Sequence, residues 1–324
     1  MSGGATYKDI NESLVKDFLI NRARKRQVAI PGISITDFLV KTIKVVKIEN
    51  GILKPTNSAI LFFCNNPQDF ISQSTIKIAR FKRTVRIEFI DSQELTGSIY
   101  KILDDVENFF RRNTRLASKI VEFKRVEIPE YPFEAIREAI INAIAHRDYF
   151  RIGSNIQVDI FDDRIEITSP GKLLPGIDIK HLEGVHETRN KEICKIFHET
   201  KDMEKYGTGI GKMKNWMKEH SLEPPIISQP GNFFRITFSG PGDKILDLVS
   251  NIPEDRKTDL SHLKERQVKA LELIYNENKK ISRKEYAQKF NISIRSAQRD
   301  LRQLVKENFI VQEGLGRSVK YKNP

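Results

Sequence analysis

Hydrophobic positions along the first 130 residues follow two periods, one typical of helices and one typical of strands. Apolar side chains recur every three or four residues in three segments, which predicts helices over 5–27, 35–47 and 97–115. Alternating or continuous β-branched and apolar runs predict strands over 57–64, 74–82, 84–90 and 119–128. The pattern therefore predicts an N-terminal segment that mixes helices and strands over residues 1–125.

The middle of the chain predicts a second segment of mixed structure. Pro132 suits the start of a helix, and the tight Asp162-Asp163 connection predicts a hairpin. The predicted elements are a helix over 134–149, strands over 155–163 and 164–170, a helix over 189–199, a glycine-rich loop running into a helix over 206–213, and a strand over 232–238. We place this domain at 126–240, a linker rich in Pro, Gly, Asp and Ser at 241–262, and a last domain at 263–324.

A polar stripe interrupts the apolar helix "EAIREAIINAIAHRDY" at 134–149. Glu138, Asn142 and His146 recur at four-residue intervals, so they share one side of the helix. A helix that is apolar nearly all round is a buried helix. The stripe therefore either faces a pocket for a ligand or is structural. In the structural alternative, Glu138 and Asn142 satisfy backbone groups of the hairpin, His146 caps its helix, and Arg147 and Asp148 form an ordinary ion pair at the helix end.

The last sixty residues read as helix, helix, turn, helix and hairpin, with Ser282 and Ser293 placed to cap two of the helices. This layout resembles the winged helix-turn-helix family, whose third helix enters the major groove of double-stranded DNA. The resemblance implies DNA contacts from the third helix and from the basic strand of the wing. The implied residues are Arg295, Ser296, Gln298, Arg299, Arg302, Lys306, Arg317, Lys320 and Lys322. A winged helix used only for protein contacts, with its charges solvated, is the alternative.

Positive charge is concentrated where this resemblance lies. The net charge is +12, and residues 261–324 hold fifteen Lys and Arg against seven Asp and Glu. Residues 1–100 are also basic, with fifteen against nine, whereas 101–260 hold twenty-five against twenty-seven. Such local concentration is typical of a surface that binds an anionic polymer.

Composition and motifs exclude several other classes. The sequence has no apolar run long enough to span a membrane and no signal-peptide pattern, so we expect a cytoplasmic protein with no membrane partner. Two cysteines, Cys64 and Cys194, are too few for a disulfide framework, and the six histidines lack the spacing of metal ligands. The nucleophile motif of serine hydrolases and the P-loop are both missing.

The stripe, the hairpin and the glycine-rich loop occur in an order that resembles the GHKL ATPase fold of gyrase, histidine kinases and mismatch-repair proteins. The resemblance implies that Glu138 positions or deprotonates water and that Asn142 holds Mg²⁺ against the phosphates of ATP. It also implies that the second glycine box, Gly207, Thr208, Gly209 and Gly211, wraps the phosphates, with Lys212 beside it. His146, Asp148, Ser169 and Gly171 complete the predicted nucleotide site. The implied fold is α+β: a GHKL-like α/β sandwich, preceded by a small α/β segment and followed by a winged helix.

One position departs from this family. Active members carry an Asp that accepts a hydrogen bond from the adenine amino group, and here Ser169 of "SPG" stands in its place while Gly171 is kept. Loss of a charge-assisted hydrogen bond costs about 1.5–3 kcal/mol, or about ten- to hundredfold in affinity. The sequence therefore predicts weakened selectivity for adenine.

A closer similarity covers about residues 10–240. The segments "HRDY", "TRN" and "YGTGIGKM" resemble the divergent ATPase-type domain of prokaryotic transcriptional regulators labelled RecG-like. Members commonly begin with an AlbA/Schlafen-type DNA-binding domain, which this sequence lacks, so we expect a truncated or naturally short version. The leading hypothesis is a homodimeric DNA-binding transcriptional regulator with a nucleotide-binding domain. Alternatives are an ATP-hydrolysing enzyme that acts on DNA or in defence against foreign DNA, and a non-catalytic assembly module.

Overall fold

The computed structural model describes residues 4–121, 124–185, 187–204, 207–245, 247–250, 260, 262–276, 279–314 and 319–323. The first helices are α1 (Glu12–Arg26), α2 (Ile35–Asp37), which continues as a π-helical turn over Phe38–Thr42, α3 (Asn57–Phe63) and α4 (Ile99–Asn113). The first strands are β1 (Val46–Glu49), β2 (Ile52–Pro55), β3 (Ile76–Phe81) and β4 (Phe89–Leu95).

The middle of the chain adds strands β5 to β10 and helices α5 to α7. The strands are β5 (Leu116–Val121), β6 (Lys124–Pro129), β7 (Ile156–Ile160), β8 (Arg164–Pro170), β9 (Ile226–Ser228) and β10 (Phe233–Ser239). The helices are α5 (Phe133–His146), α6 (Lys191–Glu199) and α7 (Gly209–Glu219). The helices and the β7–β8 hairpin predicted for this region are thus present.

One six-stranded sheet carries the larger part of the fold. Its strand order is β4-β3-β7-β8-β10-β9, and the β3–β7 pair is parallel while the other pairs are antiparallel. Helix α5 packs against β8 and α7, and α4 packs against β3, β4 and α5. The segment expected to precede the sheet therefore supplies two of its strands, β3 and β4, and the whole sheet shares one hydrophobic core.

Four predicted elements differ from the structure. Residues 57–63 form a helix rather than a strand: Thr56 accepts from Ala59 N at 3.3 Å, and residues 58–63 are all buried, so the run carries no periodic signal. The helix predicted over 35–47 is broken, because β-branched residues disfavour it and Val46 already belongs to β1. In place of the single strand predicted over 119–128, residues 116–121 and 124–129 form two paired strands. Strand β4 begins at Phe89, five residues later than predicted.

The chain divides into two compact units. One contains Met1–Arg115 and Pro129–Asp243, and the other contains Leu116–Ile128 and Lys244–Pro324. The second unit has its own hydrophobic core. Its described residues include the helices α8 (Asp247–Ser250), α9 (Glu265–Asn276), α10 (Arg283–Lys289) and α11 (Ile294–Lys306), and the strands β11 (Ile281–Ser282), β12 (Val311–Glu313) and β13 (Lys320–Lys322). The last three strands pair in the order β11-β13-β12. The domain boundaries at 125, 240 and 262 stay a prediction.

Serine caps begin two of these helices, as the sequence predicts. The Ser282 hydroxyl accepts from Glu285 N at 3.3 Å, and the Glu285 carboxylate accepts from Ser282 N at 2.6 Å. The Ser293 hydroxyl accepts from Ser296 N at 3.1 Å. Both cysteines are buried free thiols. Within the described residues, no helix has the length and apolarity needed to cross a membrane.

Candidate functional site

A cavity of about 670 Å³ opens beside the polar stripe of α5. Helix α5 buries its apolar residues from Ala135 to Ala145 and turns Glu138, Asn142 and His146 towards this cavity. The other walls come from β8, β10, α6, the first turns of α7 and the irregular segment between β8 and α6. The volume lies within the range of sites that enclose a nucleotide-sized ligand.

Glu138 and Asn142 bind each other at the cavity wall. The Asn142 amide Nδ2 donates to Glu138 Oε1 at 3.1 Å, which leaves the Asn142 carbonyl oxygen Oδ1 for a ligand. Burial raises the pKa of Glu138, and the bond from Asn142 and the charge of Lys212 oppose that rise. A carboxyl with a raised pKa is better placed to accept a proton near neutral pH than an exposed one.

His146 and Cys194 add two neutral groups to the same wall. Burial, together with the charge of Arg189, lowers the pKa of His146, so the imidazole stays uncharged at neutral pH. Burial raises the pKa of Cys194 to about 11, so its thiol stays protonated.

The glycine-rich loop lies directly against Glu138. Gly209 opens α7, and a Cβ there would collide with Glu138 Oε1 and lie 3.3 Å from Asn142 Nδ2. Gly207 has φ +62°, and a Cβ there would lie 2.5 Å from the Val185 carbonyl oxygen. Gly211 has open space around it and is not among the lining residues. A Cβ at position 207 would therefore collide with backbone, whereas one at position 209 would have to displace the Glu138 carboxylate.

The two polar side chains of this loop are bound to one carboxylate. Thr208 Oγ1 donates to Glu204 Oε2 at 2.7 Å, and Lys212 Nζ forms a short ion pair with Glu204 Oε1. Glu204 could not be recognised as a site residue from the sequence, because it lies outside every periodic segment.

Ser169 holds the hairpin against α5. Its hydroxyl donates to the Ala143 carbonyl oxygen at 3.0 Å, and its side chain lines the cavity. Gly171 has φ +125° and packs beside Asp148, whose N–H donates to the Pro170 carbonyl at 2.7 Å. Asp148 itself is not among the lining residues. Of the ten residues predicted to surround a nucleotide or Mg²⁺, eight therefore line the cavity, and Asp148 and Gly211 do not.

The ion pair expected between Arg147 and Asp148 is not formed, which corrects the sequence interpretation. Arg147 is 1% exposed and donates to the carbonyl oxygens of Asp148, Arg151 and Ser154. The Asp148 carboxylate lies 3.9 Å from Arg189 instead. The "HRDY" motif thus fixes the turn that follows α5.

Several cationic residues of the cavity escaped the sequence analysis. Arg189 donates to the Lys172 carbonyl at 2.6 Å, and Arg137 pairs with Asp202 at 2.7 Å. Lys172, Lys191 and Lys201 also line the cavity, without an ion pair inside the described ranges. Asn190 of "TRN" donates to the Ala145 and Arg147 carbonyls at 2.9 and 2.8 Å, which satisfies the end of α5. Arg137 lies on α5 and Lys191 begins α6, whereas the other residues lie in irregular backbone, where no period marks them.

This lining fits a phosphorylated ligand that brings its own metal. Over the described part of the chain, no three His, Cys, Asp or Glu side chains form a metal cluster. Mg²⁺ is usually held by one or two protein oxygens together with substrate phosphates and water, so a full protein cage is not required. The Asn142 Oδ1 atom is a protein oxygen of that kind.

A second feature lies on α11. Arg295, Arg299, Arg302 and Lys306 are exposed, and none forms an ion pair with another described residue, whereas Ser296 binds Ser293 at 3.0 Å and Gln298 is half-buried. Lys320 of β13 is exposed, and Lys322 pairs with Glu313 at 2.9 Å. Arg317 lies outside the described residues.

The chain is similar to known proteins in part of its sequence and in its fold. Residues 153–238 match the family described as "Putative ATP-dependent DNA helicase recG C-terminal", a span that contains the glycine-rich loop and begins after α5. The structure is similar to the crystal structure of the DIP2311 protein from Corynebacterium diphtheriae, with a TM-score of 0.61 and 20% identity. The similarity covers 99% of this chain and 63% of that chain, and at this identity it shows the fold alone. No curated protein matches the sequence. The chain therefore contains an ATPase-like domain related to the C-terminal region of RecG.

Proposed function

We propose that the protein is a DNA-binding transcriptional regulator whose ATPase-like domain binds a nucleotide with Mg²⁺. The observation that carries the proposal is the cationic stripe of α11, which we define as Arg295, Arg299, Arg302 and Lys306. These positions follow the i, i+4, i+7, i+11 spacing of one helix face. All four side chains are exposed, so their charge is available to a polyanion.

The opposite face of α11 supports its use as a recognition helix. Ala297, Leu301 and Leu304 are fully buried in the core of the second unit. Asp300, also fully buried, accepts from Lys264 at 2.7 Å and from Arg266 at 2.6 Å, which fixes the orientation of the helix. Along the chain the order is α9, β11, α10, α11, β12 and β13. This order supports a winged helix-turn-helix, in which the helix before the wing enters the major groove.

The cavity supports the nucleotide part of the proposal. Asn142 would ligate the metal, Gly207 and Gly209 would approach the phosphates, and the cationic lining would neutralise their charge. When bound, Mg²⁺ would draw electron density from the terminal phosphate. We further propose a cytoplasmic homodimer, since paired winged helices read two half-sites of an operator.

Salt-dependent DNA binding tests the regulator. The full chain should bind labelled double-stranded DNA with a log affinity that falls linearly with log salt concentration, because each phosphate contact releases counterion. In the Arg299→Ala/Arg302→Ala variant the slope should become shallower by about 2, at about one per lost contact. Fluorescence anisotropy over a range of NaCl concentrations provides the measurement.

Lys16→Ala is the matched control, since Lys16 is exposed on α1 and has no ion pair inside the described residues. It should leave both affinity and slope unchanged. A flat salt dependence of the unmodified chain, or an equal loss in the control, would rule out the stripe as the DNA contact. Operator affinity that does not change with saturating Mg-ATP would remove nucleotide control.

Hydrolysis of ATP is a second candidate, which the position of Glu138 favours. Its carboxyl lies at the cavity wall with a raised pKa, as a general base requires. Steady phosphate release from Mg-ATP that Glu138→Gln abolishes would establish an enzyme. Binding without turnover would leave the regulator with a ligand-binding domain.

A further inference from the structure

The carboxylate of Glu204 occupies the polar groups of the glycine-rich loop. Its two oxygens are engaged separately, Oε2 by the Thr208 hydroxyl at 2.7 Å and Oε1 by the Lys212 ammonium. Glu204, Thr208 and Lys212 all line the cavity, and half of the Glu204 side chain remains exposed. The arrangement is thus part of the site and open to solvent.

A carboxylate with this bonding presents the same chemistry as a ligand phosphate. Both are anionic, both carry oxygens that only accept hydrogen bonds, and both are favoured beside the first turn of a helix such as α7. The bonds from Lys212 and Thr208 hold the pKa of Glu204 below its usual range, so the group is an anion at neutral pH. Two of the side chains that a phosphate would use are therefore already satisfied by the protein.

The first turn of α7 has no side-chain cap to compete with this carboxylate. Thr208 stands at the N-cap position, but its hydroxyl donates to Glu204 rather than accepting from the helix amides. Lys212 N–H donates to the Thr208 carbonyl at 2.9 Å, so both partners of Glu204 are fixed to the same turn.

We infer that Glu204 is an internal competitor of the bound phosphate, a carboxylate that must leave Thr208 and Lys212 before a polyphosphate can engage them. The inference rests on the proposed nucleotide binding and adds its regulation. Release of Glu204 would also free it to repel the incoming anion, so the competition weakens binding in two ways. The natural affinity for polyphosphate is thereby held below what the glycine-rich loop alone would give.

Replacement of Glu204 by Gln should tighten binding. An exposed ion pair is worth up to about 1 kcal/mol, so Glu204→Gln should lower the Kd for inorganic triphosphate and for Mg-ATP about fivefold. The reporter is Trp216, the one tryptophan of the sequence, which lines the same cavity. Its fluorescence is followed during titration of the full chain, and calorimetry checks the stoichiometry.

Glu187→Gln is the matched control, because Glu187 lines the cavity and has no bond to Thr208 or Lys212. It removes the same charge and should change the Kd by less than twofold. The double variant Glu204→Gln/Lys212→Ala should not bind triphosphate more tightly than the unmodified chain, since the Lys212 ammonium released from Glu204 is the group that strengthens binding. If Glu187→Gln tightens triphosphate binding as much as Glu204→Gln does, the effect comes from the lower negative charge of the cavity as a whole, and the inference is wrong.

The remaining outcomes separate this inference from the proposed function. If the unmodified chain binds triphosphate and Glu204→Gln binds it no more tightly, the competition is wrong while nucleotide binding stands. If neither protein binds triphosphate or Mg-ATP, the nucleotide part of the proposed function fails and the competition fails with it.

Discussion

Single side chains at the cavity are fixed by specific partners. Glu138 receives a bond from Asn142 and faces the backbone at Gly209, while Ser169 and Asn190 satisfy the carbonyl groups at the end of α5. Buried polar groups are normally paired in this way. The stripe itself faces the cavity, and the carbonyl groups at the end of α5 are satisfied by Ser169 and Asn190, which lie outside the stripe.

The raised pKa of Glu138 makes a prediction about stability. Burial makes the folded protein hold this proton over a pH range in which the unfolded chain has lost it. The free energy of unfolding therefore falls as pH rises from the ordinary carboxyl value through the raised one. Glu138→Gln cannot ionise, so it should be more stable than the unmodified protein above that range and equal to it below.

Urea unfolding at acidic and at mildly alkaline pH measures the difference. Glu134→Gln, an exposed change one turn earlier on α5, should show no such pH-dependent gain. A constant offset between Glu138→Gln and the unmodified protein at every pH would contradict the linkage.

At the scale of elements, the sequence predicted best where a period was strong. Helices α4, α5 and α11 were all expected, because each alternates apolar and polar faces or stays apolar over many residues. The strand predicted over 57–64 was wrong, because this segment forms α3. All its positions from 58 to 63 are buried, so the sequence lacks the period that distinguishes a helix from a strand. Glu204 could not be found at all, because irregular backbone brings it to the cavity, and Arg189 was noted only as part of the segment "TRN".

The first turn of α7 offers a matched pair of glycines. Ala has a higher helix propensity than Gly by about 1 kcal/mol, so Gly211→Ala should raise the free energy of unfolding by up to that amount. Gly209→Ala should not, because its Cβ would displace the Glu138 carboxylate. It should also weaken triphosphate binding about tenfold, or about 1.4 kcal/mol.

Thermal unfolding and Trp216 fluorescence titrations compare the two variants. Equal effects of the two substitutions on binding would show that the contact between Gly209 and Glu138 has no part in the site.

The whole molecule consists of two units with separate hydrophobic cores, one around the six-stranded sheet and one around α11. Separate cores predict separate unfolding transitions. Leu301→Ala removes a fully buried side chain of the second core, which typically costs 2–5 kcal/mol in total. It should lower the midpoint of one transition only.

Differential scanning calorimetry tests this, with Ile140→Ala in the first core as the counterpart that shifts the other transition. Saturating Mg-ATP should raise the transition of the first unit alone, since its cavity lies wholly within that unit. A single transition that moves as one in both variants would mean that the cores unfold together.

The bond from Ser169 to Ala143 has a consequence for base identity. Because the hydroxyl gives its only proton to a backbone carbonyl, the part of it that meets the cavity holds lone pairs and no hydrogen. The 6-amino group of adenine would find an acceptor there, whereas the 6-keto group of guanine would meet a second electron-rich oxygen. A site with fixed hydrogen-bond polarity rejects the wrong partner far more strongly than one that senses size alone. Discrimination between ATP and GTP would then be set by a peptide group of α5 rather than by a charged side chain.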